Sequence, residues 1–270
     1  MNFDPLALVL VGWIAAALLL TLLWLLQLVQ RNGAIADVGW CFALGLVAIW
    51  YALVAYGDQD RRLLLAFMGG IYAFRLGLYI FLNRILGKAE DGRYQRMRRE
   101  WGDRAQLHFF LYFQLQAVAV SVFSLPFLVL MQNPRPTFSL WELAGILLWL
   151  IAVGGETVAD RQLATFQGKP WNQDRVCRKG LWRYSRHPNY FFEWLHWWAY
   201  VLMGIGVSNG WIALIGPALM GWALVRVTGI PLAEAQALAT RGEEYRAYQR
   251  TTSAFIPWFP KRGVCERGER

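Results

Sequence analysis

Ionisable side chains that fall inside long apolar stretches are costly to keep there, so each is a candidate for chemistry. In this chain of 270 residues they are Asp37, Arg75, Glu156, Asp160, Glu193, His196 and Arg226. A second concentration is the string Gly180-Leu181-Trp182-Arg183-Tyr184-Ser185-Arg186-His187-Pro188-Asn189-Tyr190, which runs on into Phe191-Phe192-Glu193-Trp194. It brings donors of fixed geometry, Arg186, His187, Asn189 and two tyrosines, to the start of a helix, whose unpaired amides already favour anions. The matching chemistry is the binding of a phosphate-rich cofactor. A blander reading stays open, because Trp, Tyr and Arg are also the residues of a membrane-interface belt.

Helices must hold these groups. The chain is 57% hydrophobic and 16% aromatic, more than a water-soluble domain with a polar surface would show. Apolar runs long enough, or nearly so, to cross about 30 Å of hydrocarbon lie at 5–29, 38–56, 63–82, 109–131, 140–158, 190–207 and 211–227. The first has no basic region before it and is too long for the apolar core of a cleaved leader, so it is expected to persist as a helix. The expected fold is therefore an all-α integral membrane protein of seven transmembrane helices in a single domain over 1–270, with its cofactor-binding half at about 140–260. A further amphipathic helix, interrupted around Gly242, is predicted over 231–248.

The net charge of +9 lies mostly in three segments: between the third and fourth runs, between the fifth and sixth, and after the seventh. Short loops rich in Lys and Arg stay in the cytoplasm, so the carboxyl terminus is predicted inside and the amino terminus outside. The compartment would be the inner membrane in a bacterium or the endoplasmic reticulum in a eukaryote. The charge flanks membrane runs, without an isolated soluble domain to carry a groove, so no nucleic-acid partner is expected. Attraction to lipid head groups accounts for much of it. The three cysteines stand at unrelated spacings and suggest neither a disulfide framework nor a metal site. No GxGxxG follows a strand, so a Rossmann domain is not expected.

The string at 180–190 resembles the steroid 5α-reductase family, within a wider group that includes sterol reductases; its Arg-His-Pro-Asn-Tyr core also occurs, more loosely, in isoprenylcysteine carboxyl methyltransferases. Glu156-Thr-Val-Ala-Asp160-Arg161-Gln-Leu163 is similar to a reductase segment whose Asn and Asp bind the nucleotide, with Asp160 on the Asp and Glu156 in place of the Asn. Ile71-Tyr72-Ala73-Phe74-Arg75, with Tyr79 and Leu82-Asn83-Arg84, looks like the reductase helix that carries the catalytic tyrosine, and Tyr72 falls on that position. Asp37 falls about where the steroid enzymes place a carboxylate beside it. Residues 31–40 and 88–94 resemble bacterial membrane proteins of the same superfamily.

The resemblance implies NADPH held between the last helices and their cytoplasmic loops. Its nucleotide site would draw on Glu156, Asp160, Arg161, Arg175, Tyr184, Arg186, His187 and Asn189. Tyr190, Glu193, Trp197, Arg226 and Glu234 would complete the C-terminal side, and Arg75, Tyr79 and Arg84 would join from the earlier helix. The implied substrate is a steroid-like enone entering from the bilayer, and a monomer is expected.

The chemistry of Tyr72 and Asp37 stands apart from the resemblance. A carbon–carbon double bond accepts hydride when it is conjugated to a carbonyl, because the negative charge must reach an oxygen. A proton donor beside that oxygen supplies the main stabilisation, and a tyrosine hydroxyl reinforced by a neutral carboxylic acid can do so. Alternatives stay open: Tyr72 as a packed aromatic, Asp37 as a helix N-cap, Arg75 as a snorkelling or structurally paired cation, and Glu234 as a solvated carboxylate. Two other functions compete, an S-adenosylmethionine-dependent membrane methyltransferase and a non-catalytic lipid-binding membrane protein.

Overall fold

Backbone groups within hydrocarbon have no water to bond, so apolar runs of this length close their hydrogen bonds internally as helices. A computed structural model describes residues 4–172 and 175–261, and its regular structure among these is helical apart from an isolated bridge between Ser185 and Ser253. The helices are α1 (Pro5–Gln30), α2 (Ile35–Val54), α3 (Gln59–Ile80), α4 (Gly92–Trp101), α5 (Ala105–Met131), α6 (Leu140–Gln167), α7 (Pro188–Met203), α8 (Ile215–Trp222) and α9 (Ile230–Thr251). Aspartates start three of them: Asp4, Asp58 and Asp91 accept from the amides of Leu6, Arg61 and Arg93, which satisfies donors that the first turn leaves unpaired.

Among the described residues, six helices are long and apolar enough to cross a membrane: Pro5–Gln30, Ile35–Val54, Gln59–Ile85, Gly92–Met131, Leu140–Gln167 and Gly210–Thr251. The run expected at 190–207 is not among them. Its helix, α7, has 16 residues, about 24 Å at 1.5 Å per residue. It stops at Gly204, and Gly206 takes φ +78, so an apolar composition continues where the helix does not. At the other end of the chain α9 breaks where expected, at Gly242 (φ 46, ψ −121).

The chain divides into two compact units, Met1–Leu143 with Tyr200–Ile215, and Ala144–Ala199 with Gly216–Arg270. In the first, α2 lies antiparallel against α3, with α1 and α5 beside it. Small residues set the separation of α2 and α3: a Cβ on Gly69 would stand 3.2 Å from the Ala48 Cβ, and one on Gly77 would stand 3.0 Å from the Cys41 Cβ. Such close approach is how apolar helices gain dispersion energy inside a bilayer. At the start of α3 the fully buried Arg61 pairs with Glu142 at 2.5 Å and donates to the carbonyls of Asn133, Arg135 and Thr137, so it is a clamp on the 133–142 connection.

In the second unit the loop at 180–187 is fastened to α6 and to the carboxyl-terminal segment. The Trp182 indole donates to Ala159 O at 2.9 Å, the Tyr248 hydroxyl donates to Ser185 O at 3.1 Å, and Ser185 Oγ donates to Phe255 O at 2.8 Å. The Trp194 indole donates to Pro217 O at 2.9 Å and so ties α7 to α8.

Candidate functional site

The second unit holds the residues expected on the nucleotide side. Gly180, at φ +59, begins the string because a Cβ there would lie 2.4 Å from the Gln162 side chain, whose Oε1 accepts the Leu181 amide at 2.9 Å. With Trp182 bonded to Ala159, the loop is anchored one residue before Asp160. Pro188 then opens α7, where its missing N–H leaves nothing unsatisfied. These constraints bring Asn189 to Asp160: the amide Nδ2 donates to Asp160 Oδ1 at 3.2 Å. The Asn189 Oδ1 is buried without a hydrogen-bond partner.

Asp160 is 4% exposed, Glu156 one turn earlier is 2% exposed, and Glu193 one turn after Asn189 is 7% exposed. Buried carboxylates and an amide oxygen make an acceptor-rich set, suited to hydroxyl or amide donors on a ligand rather than to its phosphates. Arg161, Arg175 and Arg226 are exposed, as is the Tyr184 ring, which meets Phe259 edge-on at 6.0 Å. Trp197 is fully buried under Gly216.

Arg186, His187 and Glu234, expected toward the cofactor, form a brace. Arg186 Nε donates to Glu234 Oε1 at 2.6 Å, and its Nη1 donates to Gln249 O at 3.1 Å and Thr252 O at 2.6 Å. His187 Nε2 lies 3.4 Å from the same carboxylate oxygen, and its ring stacks on Tyr190 at 5.3 Å. Glu234 follows the apolar stretch of its helix. Gln249 Nε2 donates to its other oxygen at 2.8 Å. Glu234 is therefore held by Arg186 and His187 and is not left to solvent.

In the first unit Tyr72 is fully buried midway along α3, Arg75 and Tyr79 follow it half-buried, and Arg84 is exposed. Arg84 sits in a π turn, Phe81–Ile85, closed by the Leu86 amide on Phe81 O at 2.9 Å. Arg226 sits in another, Ala223–Val227, closed by the Thr228 amide on Ala223 O at 2.8 Å. Such turns recur at functional positions, and neither is legible in the residue pattern.

Asp37 does not accompany Tyr72. A Cβ on Gly45 would stand 3.3 Å from the Ala73 Cβ, so Tyr72 lies level with that part of α2, and Asp37, eight residues earlier, is about 12 Å away along the axis. Side chains lean toward their own amino termini, which in antiparallel helices separates the two further. Nor does Asp37 cap α2, whose N-cap is Ala34. Its Oδ2 accepts from Arg93 Nη2 at 2.6 Å and its Oδ1 from the Tyr94 hydroxyl at 2.8 Å, so both of its oxygens are engaged by α4. Around it, Glu90 accepts from the Gly33 amide at 2.7 Å and from Arg98 Nη2 at 2.8 Å, and Gln116 donates to the Tyr112 hydroxyl at 2.9 Å. The sequence reading missed Glu90, Arg93, Tyr94 and Arg98 as a cluster. The available signal was a pair of acids, Asp37 and Glu90, that need cations.

Residues 23–252 match the profile of DUF1295, described as a protein of unknown function. The chain is also 24% identical over 282 residues to an uncharacterised protein of Schizosaccharomyces pombe, an alignment that covers 92% of this chain and 79% of the yeast protein. No solved structure matches it. Since the profile takes in most of its length, the chain belongs to the DUF1295 family.

Proposed function

We propose that this protein is an NADPH-dependent reductase of a carbon–carbon double bond conjugated to a ketone, acting on a steroid-like or other hydrophobic lipid. The observation that carries the reading is the contact between Asp160 and Asn189 at 3.2 Å, because it joins the two stretches, 156–163 and 180–190, in which the resemblance to steroid 5α-reductases is strongest.

The residues present fit a dinucleotide. Asn189 has a buried amide oxygen in need of a donor, and a carboxamide or ribose hydroxyl provides one. Asp160, Glu156 and Glu193 are acceptors for further hydroxyls, while exposed Arg161 and Arg175 reach for phosphates, which guanidinium groups bind bidentately. When bound, NADPH would supply the hydride. Tyr72 would donate a hydrogen bond to the substrate carbonyl oxygen as negative charge develops there. Asp37 would act at one remove, holding α4 against α2 through Arg93 and Tyr94. The same reading takes α7 as a further crossing and puts the carboxyl terminus in the cytoplasm with the Arg- and Lys-rich segments.

The test is anaerobic NADPH oxidation by the purified protein with a panel of 4-ene-3-keto steroids and smaller enones. Turnover is expected, and Tyr72→Phe should lose roughly 10²- to 10⁴-fold of kcat. A fully active Tyr72→Phe variant means the proton donor lies elsewhere. Thermal stabilisation by S-adenosylmethionine and none by NADPH would replace this reading with the methyltransferase one, since a ligand protects the folded state according to its occupancy.

A further inference from the structure

The first unit contains a cavity of about 580 Å³ that the reductase reading does not use. Its apolar wall is built from Leu6 and Val9 of α1, Leu125 and Val129 of α5, and Ile212. Its polar end is the connection after α5 with the turn at 206–209, and no acid is among the lining residues. Two groups there lack partners. The Gln132 Nε2 is buried without a hydrogen bond, a state that costs about 1–3 kcal/mol relative to a satisfied amide. Arg135 is the second: its backbone is held, the carbonyl by Arg61 and the amide by Asn133 Oδ1 at 3.3 Å, but its guanidinium has no carboxylate among the described residues. That guanidinium lies over the turn, since a Cβ on Gly206 would stand 4.0 Å from Arg135 Nη1.

We propose that this cavity binds an anionic phospholipid, with the phosphate between Arg135 and Gln132 and the start of an acyl chain along α1 and α5. A cation and an orphaned amide donor at one end of an apolar chamber call for an anionic oxygen joined to hydrocarbon. The volume falls within the roughly 300–1,000 Å³ of small-molecule sites. A bilayer lipid is favoured over a soluble anion because α1 beside the cavity leaves Leu6 and Leu10 at 63% and 46% exposure, a surface that acyl chains cover.

The experiment is thermal unfolding of the full-length protein in detergent with added phosphatidylglycerol, with phosphatidylcholine of the same chains, and with inorganic phosphate. Phosphatidylglycerol should raise the Tm saturably, and the other two should not. Arg135→Gln should raise the phosphatidylglycerol concentration for half-saturation roughly tenfold, the loss of one charge-assisted contact. Ser208→Trp, at an exposed turn position lining the cavity, should fill its mouth and abolish the shift while leaving the lipid-free Tm in place. Equal shifts with phosphatidylcholine would make the cavity a non-selective acyl site, and equal shifts with phosphate an anion site. Either result overturns the proposal, as does a phosphatidylglycerol response unchanged in both variants. The test does not depend on turnover, so it stands or falls separately from the reductase reading.

Discussion

At Glu234 a single carboxylate serves four neighbours. Arg186, His187, Gln249 and Tyr245 all lie within hydrogen-bond reach of its two oxygens. Glu234→Gln keeps the shape of the side chain but gives up the charge behind the contacts to Arg186 and His187, and should lower the unfolding free energy by about 1–3 kcal/mol. An unchanged unfolding free energy in denaturant titrations would show that the brace is not held by charge. The sequence offered Arg186 and His187 in one string, and Glu234 separately, as ligands for a cofactor. Whether such residues bind a ligand or one another depends on the partner each side chain meets, and their types alone are compatible with both.

The helices themselves were largely readable. Runs of apolar residues between charged segments coincide with α1, α2, α3, α5, α6 and the helix that begins at Gly210, because in hydrocarbon no other local structure satisfies the backbone. Their ends were less readable, as α7 shows by stopping short inside an apolar run. Close packing between elements depends on particular glycines that the pattern does not distinguish. A Cβ on Gly216 would stand 2.5 Å from Trp197 Cε3, a ring with no room to yield, whereas one on Gly154 would meet nothing within 4 Å. Gly216→Ala should lower stability by about 1–3 kcal/mol through the forced shift of α7 against α8. Gly154→Ala should be neutral or stabilising by up to about 1 kcal/mol from helix propensity. Thermal unfolding of the two variants decides the point, and indistinguishable Tm values would contradict the packing described.

At the scale of the molecule, the six helices of membrane-spanning length and apolarity among the described residues predict that the protein stays in the pellet when membranes are washed with alkaline carbonate; release into the supernatant would be incompatible with several spans. That membrane character and the all-helical build were both present in the amino-acid sequence, since run length and composition are local properties. The tertiary structure decided the partnerships. It placed Asp37 with Arg93, 56 positions away, and not with Tyr72; it turned Arg186 onto Glu234, 48 positions away; it buried Arg61 against Glu142; and it left Gln132 and Arg135 at the polar end of a cavity. Each of these depends on how far one helix is rotated and slid against another, which is set by side-chain packing summed over whole faces and is not encoded in any short stretch of residues.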